Sequence, residues 1–183
     1  MTGLYGGAFD PPHLGHVELA REAKRYFGLP RLVVLVAAAP GHKHVVLPAE
    51  DRLELARVAF PDDDVRLDEH ARTIGLLRDR EWEDPLFLIG ADQFCDFLSW
   101  EEPEEVLART KLGVATRPGF PRERLDAVLE RLSAPERVLF FPIEPYPIAS
   151  RDIRARARDG APLDGLVPPA VAELIAARGF YRP

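Results

Sequence analysis

Short apolar runs alternate along the chain with segments in which apolar residues recur every three or four positions. The apolar runs predict β-strands at residues 2–5, 32–37, 65–67, 86–89, 112–115 and 138–141. The periodic segments predict α-helices at residues 16–27, 49–60, 91–97, 103–109, 122–132, 150–159 and 169–178. Strands that alternate with helices are typical of βαβ units, so the pattern predicts one Rossmann-like α/β domain over residues 1–183, with an open, mostly parallel sheet and helices on both faces.

The composition of the chain excludes several kinds of ligand and of cellular environment. The chain has 183 residues, and its formal net charge of −6 argues against general binding to nucleic acid or to an anionic membrane, which depends on summed positive potential. The single cysteine, Cys95, excludes an intramolecular disulfide and a thiol-based zinc cluster. The first residues, MTGLYGGAF, do not form a signal peptide, and no apolar stretch is long enough to span a membrane. These features predict a soluble cytoplasmic protein.

The stretch GAFDPPHLGH, residues 7–16, follows the first predicted strand directly. In open α/β sheets, ligands bind beyond the carboxyl ends of the strands, where the strand order reverses. Gly6 and Gly7 allow a ligand to approach the backbone closely, and the start of the following helix offers unsatisfied N–H groups to an anion. His13 and His16 lie about one helical turn apart and can both donate to phosphate oxygens. The alternative is a capped helix whose histidines satisfy local backbone groups.

A second candidate phosphate site lies in IASRDIR at residues 148–154. Ser150 is a good N-cap residue, and Arg151 and Arg154 follow it one turn apart at the positive end of a predicted helix. The alternative is an ordinary surface helix, which is our interpretation for Arg156 and Arg158.

The stretch GADQFCDFLSW, residues 90–100, follows another apolar strand. Gly90 and Asp92 are therefore expected where ligands collect, and the Asp92 carboxylate can accept hydrogen bonds from ribose hydroxyls or cap the next helix. Trp100, taken alone, is an aromatic residue that packs in the core or at the surface.

These motifs together resemble the H-x-G-H nucleotidylyltransferases, and among them the bacterial nicotinate-nucleotide adenylyltransferase family. The resemblance continues in order through PGHK at 40–43, DRLEL at 51–55, LIGADQFCDFLSW at 88–100, ATRPG at 115–119, IASRDIR at 148–154 and LVPPAVAELIAARGFY at 166–181. It implies transfer of the adenylyl group of ATP to nicotinate mononucleotide in NAD biosynthesis, with Mg²⁺ bound to ATP. No cluster of carboxylates has the spacing of metal ligands, so phosphates and water are expected to hold that ion.

The resemblance also implies residue roles. Four residues are assigned to catalysis as phosphate donors and cations: His13, His16, Lys43 and Arg154. ATP contacts fall on Gly6, Gly7, Ala8, Phe9, Gly15, Gly90, Asp92, Ser150 and Ile153. Acceptor contacts fall on Asp10, Arg72, Thr73, Trp100 and Arg117. The helices at 150–159 and 169–178 are expected to complete the phosphate site.

The chain departs from the family pattern at Ala149 and Arg151, where the family shows I-S-S-T-x-I-R, and more strongly in one longer segment. The family carries R-x-G-x-S-Y-T and then D-T-L before the G-A-D strand, and its Tyr-Thr segment helps recognise the nicotinate carboxylate. Here the stretch is EHARTIGLLRDREWEDP, residues 69–85. Another acceptor, such as nicotinamide mononucleotide or phosphopantetheine, and a non-catalytic nucleotide sensor therefore stay open as alternatives. Homo-oligomer formation and closure of the loop at 41–46 over substrate also stay open.

Overall fold

A computed structural model describes residues 1–41, 44–79 and 82–182. Within these residues the strands are Thr2–Gly7 (β1), Leu32–Ala37 (β2), Asp64–Asp68 (β3), Pro85–Gly90 (β4), Lys111–Thr116 (β5) and Val138–Pro142 (β6). The helices are Leu14–Phe27 (α1), Ala49–Ala59 (α2), Thr73–Asp79 (α3), Ala91–Cys95 (α4), Pro103–Arg109 (α5), Arg122–Leu129 (α6), Ser150–Arg158 (α7) and Pro169–Arg178 (α8).

The strands form one sheet in the order β3-β2-β1-β4-β5-β6. Every pair of neighbouring strands is parallel. The chain proceeds outward from β1 to β3 and then returns to place β4 on the other side of β1, so the order reverses between β1 and β4. The predicted Rossmann-like α/β architecture is confirmed, and the sheet is wholly parallel.

Both faces of the sheet are covered by helices, which explains why β2 and β4 are apolar at nearly every position. Along β2, Val34 and Val36 point into a core shared with α1, α2, α7 and α8. Val33 and Leu35 point into a second core shared with α3, α4, α5 and α6. Each buried side chain of this size contributes about 1.5–3 kcal/mol, so the two cores hold the sheet from both sides.

Helix α3 was not predicted. It has only seven residues and contains Gly75, which is a poor helix former. Burial of Ile74, Leu76 and Leu77 in the second core stabilises it instead. Tertiary packing thus forms a helix that local sequence preference does not indicate.

None of the helices in the described part of the chain combines the length and the apolar character that crossing a membrane requires.

Candidate active site

Two adjoining cavities open at the carboxyl ends of β1 and β4, around the backbone of Gly6, Gly7 and Ala8. The small cavity has a volume of about 130 Å³, and Phe9, Asp10, His16, Ser150 and Arg154 are part of its wall. The large cavity has a volume of about 530 Å³, and Arg72, Thr73 and Trp100 are part of its wall. Residues from both ends of the chain therefore meet at the strand edge that the sequence indicates.

The two histidines are stacked, with ring centroids 3.7 Å apart and ring planes inclined by 29°. The backbone N–H of His13 donates to Nδ1 of His16 at 3.2 Å. An imidazole nitrogen that accepts a hydrogen bond carries no proton, so neutral His16 carries its proton on Nε2. The backbone thereby selects the tautomer of the ring that lines the small cavity.

His13 lies behind His16 and does not line either cavity. It is the N-cap of α1, it is 9% exposed, and its Nδ1 is buried without a hydrogen-bond partner. Burial lowers the pKa of His13 to about 4, so the ring is neutral near pH 7. His13 thus packs against His16 from the protein side, and its donation to a phosphate stays a prediction.

Gly15 and Gly7 leave room for these rings. A Cβ atom at Gly15 would lie 3.1 Å from Cε1 and Nδ1 of His13, and one at Gly7 would lie 2.8 Å from Cζ of Phe9. The Phe9 ring packs edge-on against His16, with centroids 5.2 Å apart. Gly15 thus makes space for the His13 ring; it lies in neither cavity wall, and its contact with ATP stays a prediction.

The amides at the start of α1 are less available than expected. The N–H of Leu14 donates to the carbonyl of Leu166 at 2.9 Å. The segment before α8 therefore satisfies the first donor of α1, and that amide cannot serve as part of an anion site.

Asp10 is a buried acceptor for three donors. Its carboxylate accepts from the N–H of Val46 at 2.6 Å, the N–H of Leu47 at 3.4 Å and the hydroxyl of Tyr181 at 2.9 Å. Burial, reinforced by the negative charge of Asp10, raises the pKa of Tyr181 above its usual range, so the phenol stays protonated and donates. Asp10 lines the small cavity only. Its carboxylate therefore supports the loop after β1, and its contact with the acceptor stays a prediction.

Arg52, from the DRLEL stretch, fixes the backbone on the protein side of the site. It is 1% exposed, and its guanidinium donates to the carbonyls of Ala8, Ala37, Ala38 and Leu47 at 2.7–3.1 Å. These carbonyls follow β1 and β2 or precede α2. No sequence pattern indicates this role, because the four acceptors are main-chain atoms.

Helix α7 brings Ser150 and Arg154 to the small cavity. Ala149, not Ser150, is the N-cap residue. The Ser150 hydroxyl donates to the carbonyl of Pro11 at 2.9 Å, and Nη1 of Arg154 donates to the carbonyl of Asp10 at 2.7 Å. Both side chains thus attach α7 to the 8–12 loop, which corrects the predicted cap.

Two further α7 residues behave differently. The side chain of Ile153 is fully buried in the first core and lines neither cavity, and its contact with ATP stays a prediction. Arg151 is 83% exposed and pairs with Asp152.

Trp100 forms one side of the large cavity and packs edge-on against Phe97 and Phe87, with centroids 5.3 and 6.3 Å away. Arg72 is half-exposed, and its Nε lies 3.5 Å from a carboxylate oxygen of Glu101. The wall also contains residues that the sequence did not indicate: Asp68, His70, Gln93, Asp96 and Ser99.

Three predicted contacts lie outside both cavities. Asp92 and Arg117 are exposed and lie 3.5 Å apart as an ion pair, and Gly90 contributes to neither wall. Lys43 lies outside the described residues, as does part of the loop at 41–46. In the part of the chain that the structure describes, no three His, Cys, Asp or Glu side chains are placed to hold a metal ion.

Comparison with known proteins places this chain in a family. The family described as cytidylyltransferase-like matches residues 4–156. A probable nicotinate-nucleotide adenylyltransferase of Rubrobacter xylanophilus is 34% identical, over 99% of this chain and 92% of the relative. One from Thermus thermophilus is 37% identical, over 98% of each chain.

Solved structures share the fold. The Plasmodium falciparum nicotinic acid mononucleotide adenylyltransferase complexed with NaAD superimposes with a TM-score of 0.76, at 17% identity over 98% of this chain and 96% of that one. A structure from Vibrio parahaemolyticus, titled a putative nicotinate-nucleotide adenylyltransferase, gives a TM-score of 0.66 at 20% identity, over 100% and 96% of the two chains.

Proposed function

The chain belongs to the cytidylyltransferase-like family and, within it, to the nicotinate-nucleotide adenylyltransferases, and we propose on this premise that it transfers the adenylyl group of ATP to nicotinate mononucleotide. The products are nicotinate adenine dinucleotide and pyrophosphate. One structural observation carries the proposal: a small cavity with His16, Ser150 and Arg154 adjoins a large cavity with Trp100, around shared glycine backbone.

We assign the phosphates of ATP to the small cavity. Its wall combines the imidazole of His16, the half-buried guanidinium of Arg154 and the close backbone of Gly7. Phosphate oxygens need such donors and cations, and a guanidinium can donate two parallel hydrogen bonds to them. Lys43 stays a predicted further cation.

We assign the acceptor to the large cavity. A pyridine ring can pack against Trp100, and the acceptor carboxylate can pair with Arg72 at the start of α3. The shortened segment 69–85 is the ground for the non-catalytic alternative. In the structure, part of this segment forms α3 and contributes Thr73 to the wall of the large cavity. This supports an acceptor site that is built from other residues than the Tyr-Thr segment of the family.

The reaction forms a bond from an acceptor phosphate oxygen to the α-phosphorus of ATP and breaks the bond from that phosphorus to the bridging oxygen of pyrophosphate. A phosphate is already an anionic nucleophile near pH 7, so the protein needs to align two anions and to stabilise the charge on the transferred group. His16 and Arg154 suit this task, because both can donate hydrogen bonds to phosphate oxygens and the reaction needs no general base.

Mg²⁺ is proposed as the ion that accompanies ATP. The carboxylate of Asp10, which lies in the small cavity, already accepts from three donors. We therefore infer that phosphate oxygens and water would hold the ion, which would neutralise charge on the leaving pyrophosphate.

The test is an assay of pyrophosphate release with ATP, Mg²⁺ and nicotinate mononucleotide, with nicotinamide mononucleotide and phosphopantetheine as competing acceptors. We expect nicotinate mononucleotide to be the preferred acceptor. His16→Ala should lower kcat by about 100-fold or more while the protein stays folded. Binding of ATP by calorimetry without product from any acceptor would instead favour the nucleotide sensor.

A further inference from the structure

Gln93 occupies an unusual position between the two cavities. Among the described residues, four line both cavities: Gly6, Gly7, Ala8 and Gln93. Of these, only Gln93 has a polar side chain. Among the described residues, Gln93 is therefore the polar side chain placed to contact ligands in both cavities.

The orientation of the Gln93 carboxamide is fixed from the protein side. The backbone N–H of Gly90 donates to Oε1 of Gln93 at 3.2 Å, across the first turn of α4. Since an N–H requires an acceptor, this bond identifies the oxygen of the side chain, and the NH₂ group remains as a pair of donors.

Capping of α4 does not explain why this residue is glutamine. A glutamate at the same position can accept the same bond from Gly90, and its negative charge is favoured in the first turn of a helix. The chain has 30 Asp and Glu residues but no asparagine and only this one glutamine. Residue 93 is therefore neutral at a position where the start of the helix would favour a glutamate.

We propose that Gln93 is a substrate-contacting residue whose NH₂ group donates to phosphate oxygens where the acceptor phosphate and the α-phosphate of the nucleotide meet. This inference rests on the proposed function. Both groups are anions, so a carboxylate at this position would repel each of them, whereas a neutral carboxamide donates to either. Neutrality is thus the property that the site requires of residue 93.

The test compares Gln93→Glu with Gln93→Met. Glutamate keeps the acceptor for Gly90 and adds charge, whereas methionine is neutral, of similar length, and loses both the acceptor and the donors. We expect Gln93→Glu to melt at or above the temperature of the wild type and to lose kcat/KM for both substrates by about 10- to 100-fold or more. Gln93→Met should lose activity with a small loss of thermal stability.

Separate calorimetric titrations with ATP and with nicotinate mononucleotide should show weaker binding of each to Gln93→Glu. A residue that only caps α4 gives the opposite pattern, in which Gln93→Glu is as active as the wild type and Gln93→Met is impaired through stability alone; that pattern overturns the inference. Failure of the wild type to form product would instead overturn the proposed function, so the two failures are distinguishable.

Discussion

The hydroxyl of Tyr181 donates a hydrogen bond of 2.9 Å to the carboxylate of Asp10, a residue 171 positions earlier in the chain. The main-chain carbonyl of Asp10 accepts a hydrogen bond from Arg154, which lies in the wall of the small cavity. The segment after α8 is therefore part of the support of the candidate phosphate site.

Tyr181→Phe removes this bond and leaves the ring in place. We expect the free energy of unfolding to fall by about 1–3 kcal/mol, because a buried carboxylate loses one of its donors. Urea denaturation measures the change. Tyr26→Phe is the matched control, since Tyr26 is 52% exposed, and it should have no effect. Equal stability of both variants would contradict the support role.

Arg154→Lys tests the need for a guanidinium. An ammonium group cannot hold the carbonyl of Asp10 and also present a planar pair of donors to a phosphate. We expect kcat/KM for ATP to fall about 10- to 100-fold in steady-state assays. Arg158→Lys, which changes an exposed arginine paired with Asp159 on the same helix, should retain full activity.

Trp100→Ala should separate the two substrates. Trp100 lines the large cavity and not the small one, so we expect KM for the acceptor to rise about tenfold or more while KM for ATP stays near its original value. Steady-state titration of each substrate measures both values. A parallel rise in both KM values would show that the indole acts through the fold and not through the acceptor.

His13 should make stability depend on pH. Its pKa falls from 6.5 to about 4 on folding because the ring is buried, so the unfolded chain binds more protons between these values. The free energy of unfolding is therefore at its full value above about pH 6.5. It decreases as the pH falls toward 4, by about 3 kcal/mol in all.

Denaturation of the wild type and of His13→Gln between pH 4.5 and 7.5 measures this contribution as the difference between the two curves. Parallel curves for wild type and His13→Gln would contradict the burial effect.

The sheet could be predicted because strands buried on both faces are apolar at consecutive positions. All six strands lie where the runs indicate, whereas α3 depends on packing of Ile74, Leu76 and Leu77 that no local pattern reveals. In the same way, contacts between site residues that lie far apart in the sequence cannot be predicted from a local pattern. His16 follows β1 directly, but the bonds of Tyr181 and Arg52 to distant partners arise only in the folded chain.

The 90–93 segment shows a second limit of prediction from sequence. Asp92 is the residue that the sequence singles out in this segment, because it is charged and follows a strand. In the structure Asp92 pairs with Arg117 outside the cavities, and its neighbour Gln93 lines both. Successive residues of a helix point about 100° apart, so one position decides which side chain meets the ligand.

The contact between Gly7 and Phe9 constrains the order in which substitutions can accumulate at this site. Any side chain at residue 7 collides with the buried ring of Phe9, and displacing that ring also moves its neighbour His16. During evolution, Phe9 is therefore expected to be replaced by a smaller residue before Gly7 is replaced by a residue with a side chain. Gly7 and Phe9 are expected to diverge as a pair.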